Sequence, residues 1–116
     1  MTRIRPRSKV WLSSDSPGST FGRGKWLLLN AIDREGSLRA AAAALGISYR
    51  KAWGDLRTAE ELLGVRLVER RRGGNVGGEM YLTNNGKKWA SEFGRLQSAV
   101  ENALEEAFAS WMEGKD

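Results

Sequence analysis

A mainly α-helical domain with a small β wing is predicted by three observations. A run of alanines and leucines, Leu38–Leu45, sits between Gly36 and Gly46 with its apolar residues at helical spacing. Two β-prone runs, VRLVERRR and EMYL, flank the glycine-rich GGNVGG of residues 73–78. From Thr83 to about Met112, apolar residues step by four and three, the signature of one long helix.

The first segment, RIRPRSKVWLSS, alternates with a period of two. Ile4, Val10 and Leu12 fall on one face, and Arg3, Arg5, Arg7, Lys9 and Trp11 on the other. Pro6 lacks an N–H, which restricts the segment to an edge strand or extended arm. DSPGST (15–20) is a turn by composition, and Phe21 begins a short return strand.

GKWLLLNAIDREG (24–36) reads as a helix. Trp26, Leu28, Leu29, Ala31 and Ile32 form its apolar face, and Gly36 stands where glycine ends a helix. Ser37 caps the next helix, whose inner face is Leu38, Ala41, Ala42 and Leu45. Alanine is the best helix former and is also thin, so a neighbouring helix can approach closely. Gly46 then turns the chain, Ile47 plugs the core, and Ser48 caps a further helix that runs to about Leu63 before Gly64. Its inner face is Ala52, Leu56, Ala59 and Leu63. Helix, tight turn and helix with small residues at the crossing is helix-turn-helix geometry.

The outer face of the second helix carries Tyr49, Arg50, Lys51, Trp53, Gly54 and Arg57. In this motif the N-terminal turns of the second helix enter the major groove of DNA. Arginine and lysine there meet phosphates or guanine O6 and N7. Tyr49 can donate to a phosphate or lie against a base, and Gly54 removes bulk where a groove wall approaches. Trp53 has two readings: contact with the groove edge, or packing on a neighbouring element, the commoner fate of a large aromatic.

The strand-like Val65–Arg72, the glycine loop and Glu79–Leu82 form a basic hairpin, a wing. Arg70, Arg71 and Arg72, with Gly73, Gly74, Asn75, Gly77 and Gly78 in the loop, would reach backbone phosphates or the minor groove. A nucleotide phosphate loop fails on context, because no GK[ST] follows and the glycines join strand to strand. Thr83 caps the last helix. Its stripe of Trp89, Phe93, Leu96, Val100, Leu104, Ala107, Phe108 and Trp111 is too long for one short domain to cover, which points to a homodimer through this helix. The first helix is expected to cover its first turns. An acidic face of Glu101, Glu105, Glu106 and Glu113 would be repelled by DNA and should point away from it.

Charge supports the same placement. The net charge is +5 over 116 residues. Residues 1–90 hold seventeen Lys/Arg and eight Asp/Glu, a net of +9, and residues 91–116 hold two and six, a net of −4. A basic body with an acidic end suits a polyanion partner for the body only. With no histidine and no cysteine, imidazole and thiolate catalysis, disulfides and the usual zinc sites are excluded. No carboxylate pair suggests a catalytic site, so the chain reads as a non-enzyme without cofactor or metal. No apolar run approaches the roughly 18 residues of a membrane span. The basic N-terminus lacks the apolar stretch of a secretory signal, so a cytoplasmic location is expected.

The organisation expected is a single domain in three parts. Residues 1–22 are an N-terminal arm or hairpin, 23–82 the winged helix-turn-helix, and 83–116 the dimerisation helix.

GSLRAAAAALGIS followed by LRTAEELLGVRLVERRRGGNVGGEMYLTNNG resembles the N-terminal winged helix-turn-helix of LysR-type regulators. A nearer resemblance is to the DNA-binding domain of the ModE family of molybdate-responsive regulators. ISYRKAW resembles the ModE recognition-helix opening, RRGGNVGG the ModE wing, and KVWLSS with FGRGKWLLLNAID the start of short, single-domain ModE-like proteins. The resemblance covers about Lys9 to Phe108. It implies a dimeric, sequence-specific DNA-binding transcriptional regulator on a palindromic operator. Ser48, Tyr49, Arg50, Lys51 and Trp53 then fall in the DNA-reading region, and Arg70–Gly78 in the wing; Ser37 is a further candidate for DNA contact. The oxyanion-binding domains of full-length members are not expected in a chain ending at Asp116, so molybdate sensing is not carried over. A separate effector-sensing chain, a constitutive regulator and a different signal all stay open. The alternative reading is a winged-helix protein-interaction module without sequence-specific DNA binding.

Overall fold

A computed structural model describes residues 2–15, 18–71 and 78–115. Strands β1 (Trp11–Ser13) and β2 (Thr20–Gly22) form an antiparallel hairpin. Three helices follow: α1 (Arg23–Glu35), α2 (Leu38–Leu45) and α3 (Tyr49–Leu63). Strands β3 (Val68–Arg71) and β4 (Glu79–Leu82) pair antiparallel, and α4 (Asn84–Glu113) ends the chain. The fold is the expected one, mostly helical with two small sheets and a long C-terminal helix.

The helix boundaries follow the sequence signals closely. Ser37, Ser48 and Thr83 each accept a backbone N–H with the side-chain hydroxyl, from Ala40, Lys51 and Gly86 respectively. Gly36, Gly46 and Gly64 end the first three helices with φ of 80°, 69° and 69°. At Gly46 the turn is locked by Ile47 N–H donating to the Ala42 carbonyl at 3.0 Å. Ala41, Ala42, Ala52 and Ala59 are all buried, so α2 and α3 meet over small side chains, which sets the close crossing of the two helices.

The core gathers Leu28, Leu29 and Ile32 of α1 with Leu38, Leu56, Leu67, Val68, Met80 and Leu82. Phe21 and Phe93 are its largest fully buried side chains, their rings edge-on at 5.0 Å, with the Trp89 ring 6.0 Å from Phe21. Trp26 of α1 donates its indole N–H to the Ala90 carbonyl of α4 at 2.8 Å. Gly86 is a point of forced closeness: a Cβ there would overlap the Leu67 carbonyl oxygen. The first turn of α4 therefore lies directly on the entry to β3.

Three expectations need correction. Of the edge strand and the extended arm read for the first segment, the strand covers only Trp11–Ser13, and Ile4 is 70% exposed while Val10 and Leu12 pack against the core. The strand's partner offers only three residues, Thr20–Gly22, before α1 begins, and Pro6 cannot donate to a ladder. The wing's first strand begins at Val68, not Val65. The Leu67 N–H is taken by the Glu60 carboxylate at 2.7 Å and its carbonyl by the Thr83 N–H at 3.0 Å, so Leu67 is anchored outside the ladder. Trp89 and Phe93, assigned to a second copy, pack inside the protomer, Phe93 with 2% exposure.

The radius of gyration is 17.6 Å, with extents of 65 × 36 × 23 Å. A compact chain of this length would have about 13 Å. The excess comes from α4, whose later turns leave the body. Leu96 and Trp111 are 38% and 58% exposed there, Met112 is exposed, and Val100, Leu104 and Phe108 are half-buried. Leu104 and Phe108 border a groove whose other wall is the arm, Arg3 to Lys9, with Glu101 and Glu105 alongside. No helix among the described residues is long and apolar enough to cross a membrane.

Candidate nucleic-acid interface

The residues nominated on α3 are brought together on one side of the molecule. Arg50, Lys51, Gly54 and Arg57 are exposed, while Ala52, Leu56 and Ala59 behind them are buried. The helix is thus held by its thin inner face and offers its cations outward. Lys51 Nζ lies 3.3 Å from the Asp55 carboxylate, one turn on, an exposed pair worth little in water and readily exchanged for a phosphate. Ser37 and Ser48 use their oxygens as cap acceptors, which leaves each hydroxyl proton free to be donated. Nothing lies within 4 Å of a Cβ built on Gly54, so the protomer itself has no steric need for glycine there.

Tyr49 and Trp53 are half-buried, and their rings meet edge-to-face at 6.2 Å. The Arg39 guanidinium of α2 sits 4.6 Å from the Tyr49 ring centroid, and that of Arg70 of β3 sits 5.0 Å from the Trp53 centroid. Trp53 packs against the Tyr49 ring and the Arg70 guanidinium while part of its surface stays exposed. Arg39 was not among the residues nominated from the sequence, and the structure brings it onto the Tyr49 ring. Its signal was a lone cation on a helix otherwise made of alanine and leucine.

The wing separates arginines that the sequence groups together. Arg70 stands opposite the buried Met80, so it shares the inner face of the hairpin with the buried Val68–Leu82 pair. Arg71 stands opposite Glu79 on the outer face, with its guanidinium 5.4 Å from the Tyr81 ring centroid. Tyr81 donates its hydroxyl to the Glu79 carboxylate at 2.7 Å. That bond pushes the phenol pKa up, and the Arg71 charge opposes it. Gly78 is half-buried with φ of 65°. Arg72, Gly73, Gly74, Asn75 and Gly77 lie outside the described residues. No group of acidic residues that could hold a metal is found among the described residues.

Residues 25–87, just over half of the chain, match the profile of the bacterial regulatory helix-turn-helix proteins of the lysR family. The chain is 33% identical over 105 residues to the molybdenum transport protein ModE of Azotobacter vinelandii, covering 90% of this chain and 38% of that protein. It is 36% identical over 87 residues to the molybdenum-pterin-binding protein MopB of Rhodobacter capsulatus, covering 75% of this chain and 32% of MopB. The chain thus spans about a third of the length of these relatives. Among solved structures it is similar to the CbnR_DBD–DNA complex, with a TM-score of 0.59, 23% identity, and coverage of 75% of this chain and 94% of that one. It is also similar to BenM_DBD bound to catB site 1 DNA, with a TM-score of 0.54, 20% identity, and coverage of 80% and 96%. At those identities the likeness shows the fold, a winged-helix DNA-binding domain architecture. The residues matched by the profile run from α1 through the start of α4, and they include the helix-turn-helix and the wing. The chain belongs to the lysR family of bacterial regulatory helix-turn-helix proteins.

Proposed function

We propose that this chain is a dimeric, sequence-specific DNA-binding transcriptional regulator. The observation that carries this reading is the exposed cationic edge of α3, with Arg50, Lys51 and Arg57 projecting from a helix fixed by buried alanines. In this reading α3 enters the major groove by its N-terminal turns, and Arg50 and Lys51 meet base edges or phosphates. The wing arginines lie on the backbone beside it. Two of the structural relatives are bound to DNA, which supports DNA as the partner. The ModE and MopB relatives bring no effector to this chain, since it matches only about a third of each.

The second copy would pair through the later turns of α4, where Leu96, Val100, Ala107 and Trp111 are fully or partly exposed. Two-fold symmetry would place half-sites about one helical turn, roughly 34–36 Å, apart. Selection of bound fragments from random duplex DNA tests the reading. Enrichment of an inverted repeat with that spacing is expected. Recovery of unrelated sequences would favour the protein-interaction alternative.

A further inference from the structure

We propose that Trp53 is a positioning residue for Arg70, holding that wing cation against the recognition helix so that helix and wing grip DNA as one body. The inference rests on the DNA-binding reading above and adds a role for a neutral residue.

Four side chains from three elements form a continuous row: Arg39 of α2, Tyr49 and Trp53 of α3, and Arg70 of β3. The successive separations are 4.6, 6.2 and 5.0 Å, measured to or between ring centroids. Tyr49 and Trp53 are four residues apart, so they stack along one helix face. Each end of the row is a guanidinium. Among the described residues neither Arg39 nor Arg70 joins an ion pair; the pairs present use Arg34, Lys51 and Arg95. A guanidinium resting on an aromatic face keeps its N–H edge free, and that edge binds phosphate.

The base of the wing is seated in the core by Val68, Met80 and Leu82, and the Met80 N–H donates to the Gly36 carbonyl at 2.9 Å. The exposed Arg70, beyond that base, takes its position from the face it rests on. At the root of the wing, Glu60 holds Leu67 by a hydrogen bond. Further out along β3, the aromatic–cation pairing of Trp53 with Arg70 spans helix and wing. Arg70 is on the hairpin's inner face by register, so its side chain leaves the wing towards α3. Trp53 carries no charge and displaces no counterion, yet its removal frees Arg70 from the only aromatic face that holds it among the described residues.

The test is the salt dependence of binding to a mixed-sequence duplex, for the wild type, Trp53→Leu, Trp53→Phe, Arg70→Ala and the Trp53→Leu/Arg70→Ala double variant. Each phosphate that the protein ceases to neutralise lowers the slope of log K against log salt by about 0.9. Trp53→Leu is expected to lower the slope by that much per protomer, as Arg70→Ala does. The double variant should show no further decrease, and Trp53→Phe should keep the wild-type slope. A full slope for Trp53→Leu alongside a reduced one for Arg70→Ala overturns the proposal, as does an additive decrease in the double variant. A wild type with no salt-dependent affinity overturns the DNA-binding reading itself. Should Trp53→Leu not fold, proton NMR of the free wild-type chain decides: ring-current shifts on the Arg70 δ-protons are expected, and random-coil values overturn the proposal.

Discussion

The Glu60 carboxylate accepts the Leu67 N–H at 2.7 Å, and this bond joins the last turn of α3 to the entry of the wing. Leu67 is fully buried, and its carbonyl is taken by the Thr83 N–H. One residue therefore carries the junction of α3, β3 and α4. Glu60→Ala leaves a buried N–H without its partner, and hydrogen bonds to charged groups contribute about 1.5–3 kcal/mol. Thermal unfolding should show a loss in that range. Glu60→Gln, which keeps an acceptor, should recover most of it.

Gly86→Ala tests the closeness on the other side of the same junction. Its Cβ would overlap the Leu67 carbonyl oxygen, a backbone atom that cannot swing away. Overpacking of this kind costs about 1–3 kcal/mol. Circular dichroism melting should place Gly86→Ala well below the wild type, whereas Gly114→Ala, at the exposed end of α4, should melt almost unchanged.

Gly54→Ala should separate stability from binding. A glycine inside an exposed helix is less stable than alanine by roughly 0.5–1 kcal/mol. With open space around it, the substitution should raise the melting temperature. A methyl group pointing into a groove should nonetheless weaken operator binding, by roughly tenfold for each 1.4 kcal/mol of clash. A variant both more stable and equally tight would remove Gly54 from the interface.

The later turns of α4 predict a monomer on disruption. Leu96→Glu places a charge on the exposed stripe without touching the protomer's core, so the fold should survive. Sedimentation velocity should then show a smaller species than the wild type. Binding to a palindromic site should weaken by more than binding to a half-site.

Most of the fold could be read from the sequence because its signals are local. Ser37, Ser48, Thr83, Gly36, Gly46 and Gly64 mark helix ends through bonds made within a few residues. The alanine wall gave the helix crossing for the same reason. What escaped depends on long-range partners. Phe93 sits on the apolar stripe with Leu96, and only the arrival of Phe21 from the first hairpin decides that one is buried and the other is not. Arg70 and Arg71 are neighbours of identical type, and only the register opposite Met80 and Glu79 sends them to opposite faces. The approach of Arg39 to Tyr49 needs the angle between α2 and α3, which no local pattern contains.

Whether the tip of α3 reads the DNA sequence is decided by operator discrimination in the Arg50→Ala/Lys51→Ala double variant. Good base contacts are worth about 1–3 kcal/mol each. A selected operator and a scrambled duplex of equal length should be compared by gel shift at fixed salt. The double variant is expected to bind the two nearly alike, with folding intact by circular dichroism. Retention of the wild-type preference for the operator would contradict the assignment, because discrimination would then reside elsewhere on the protein.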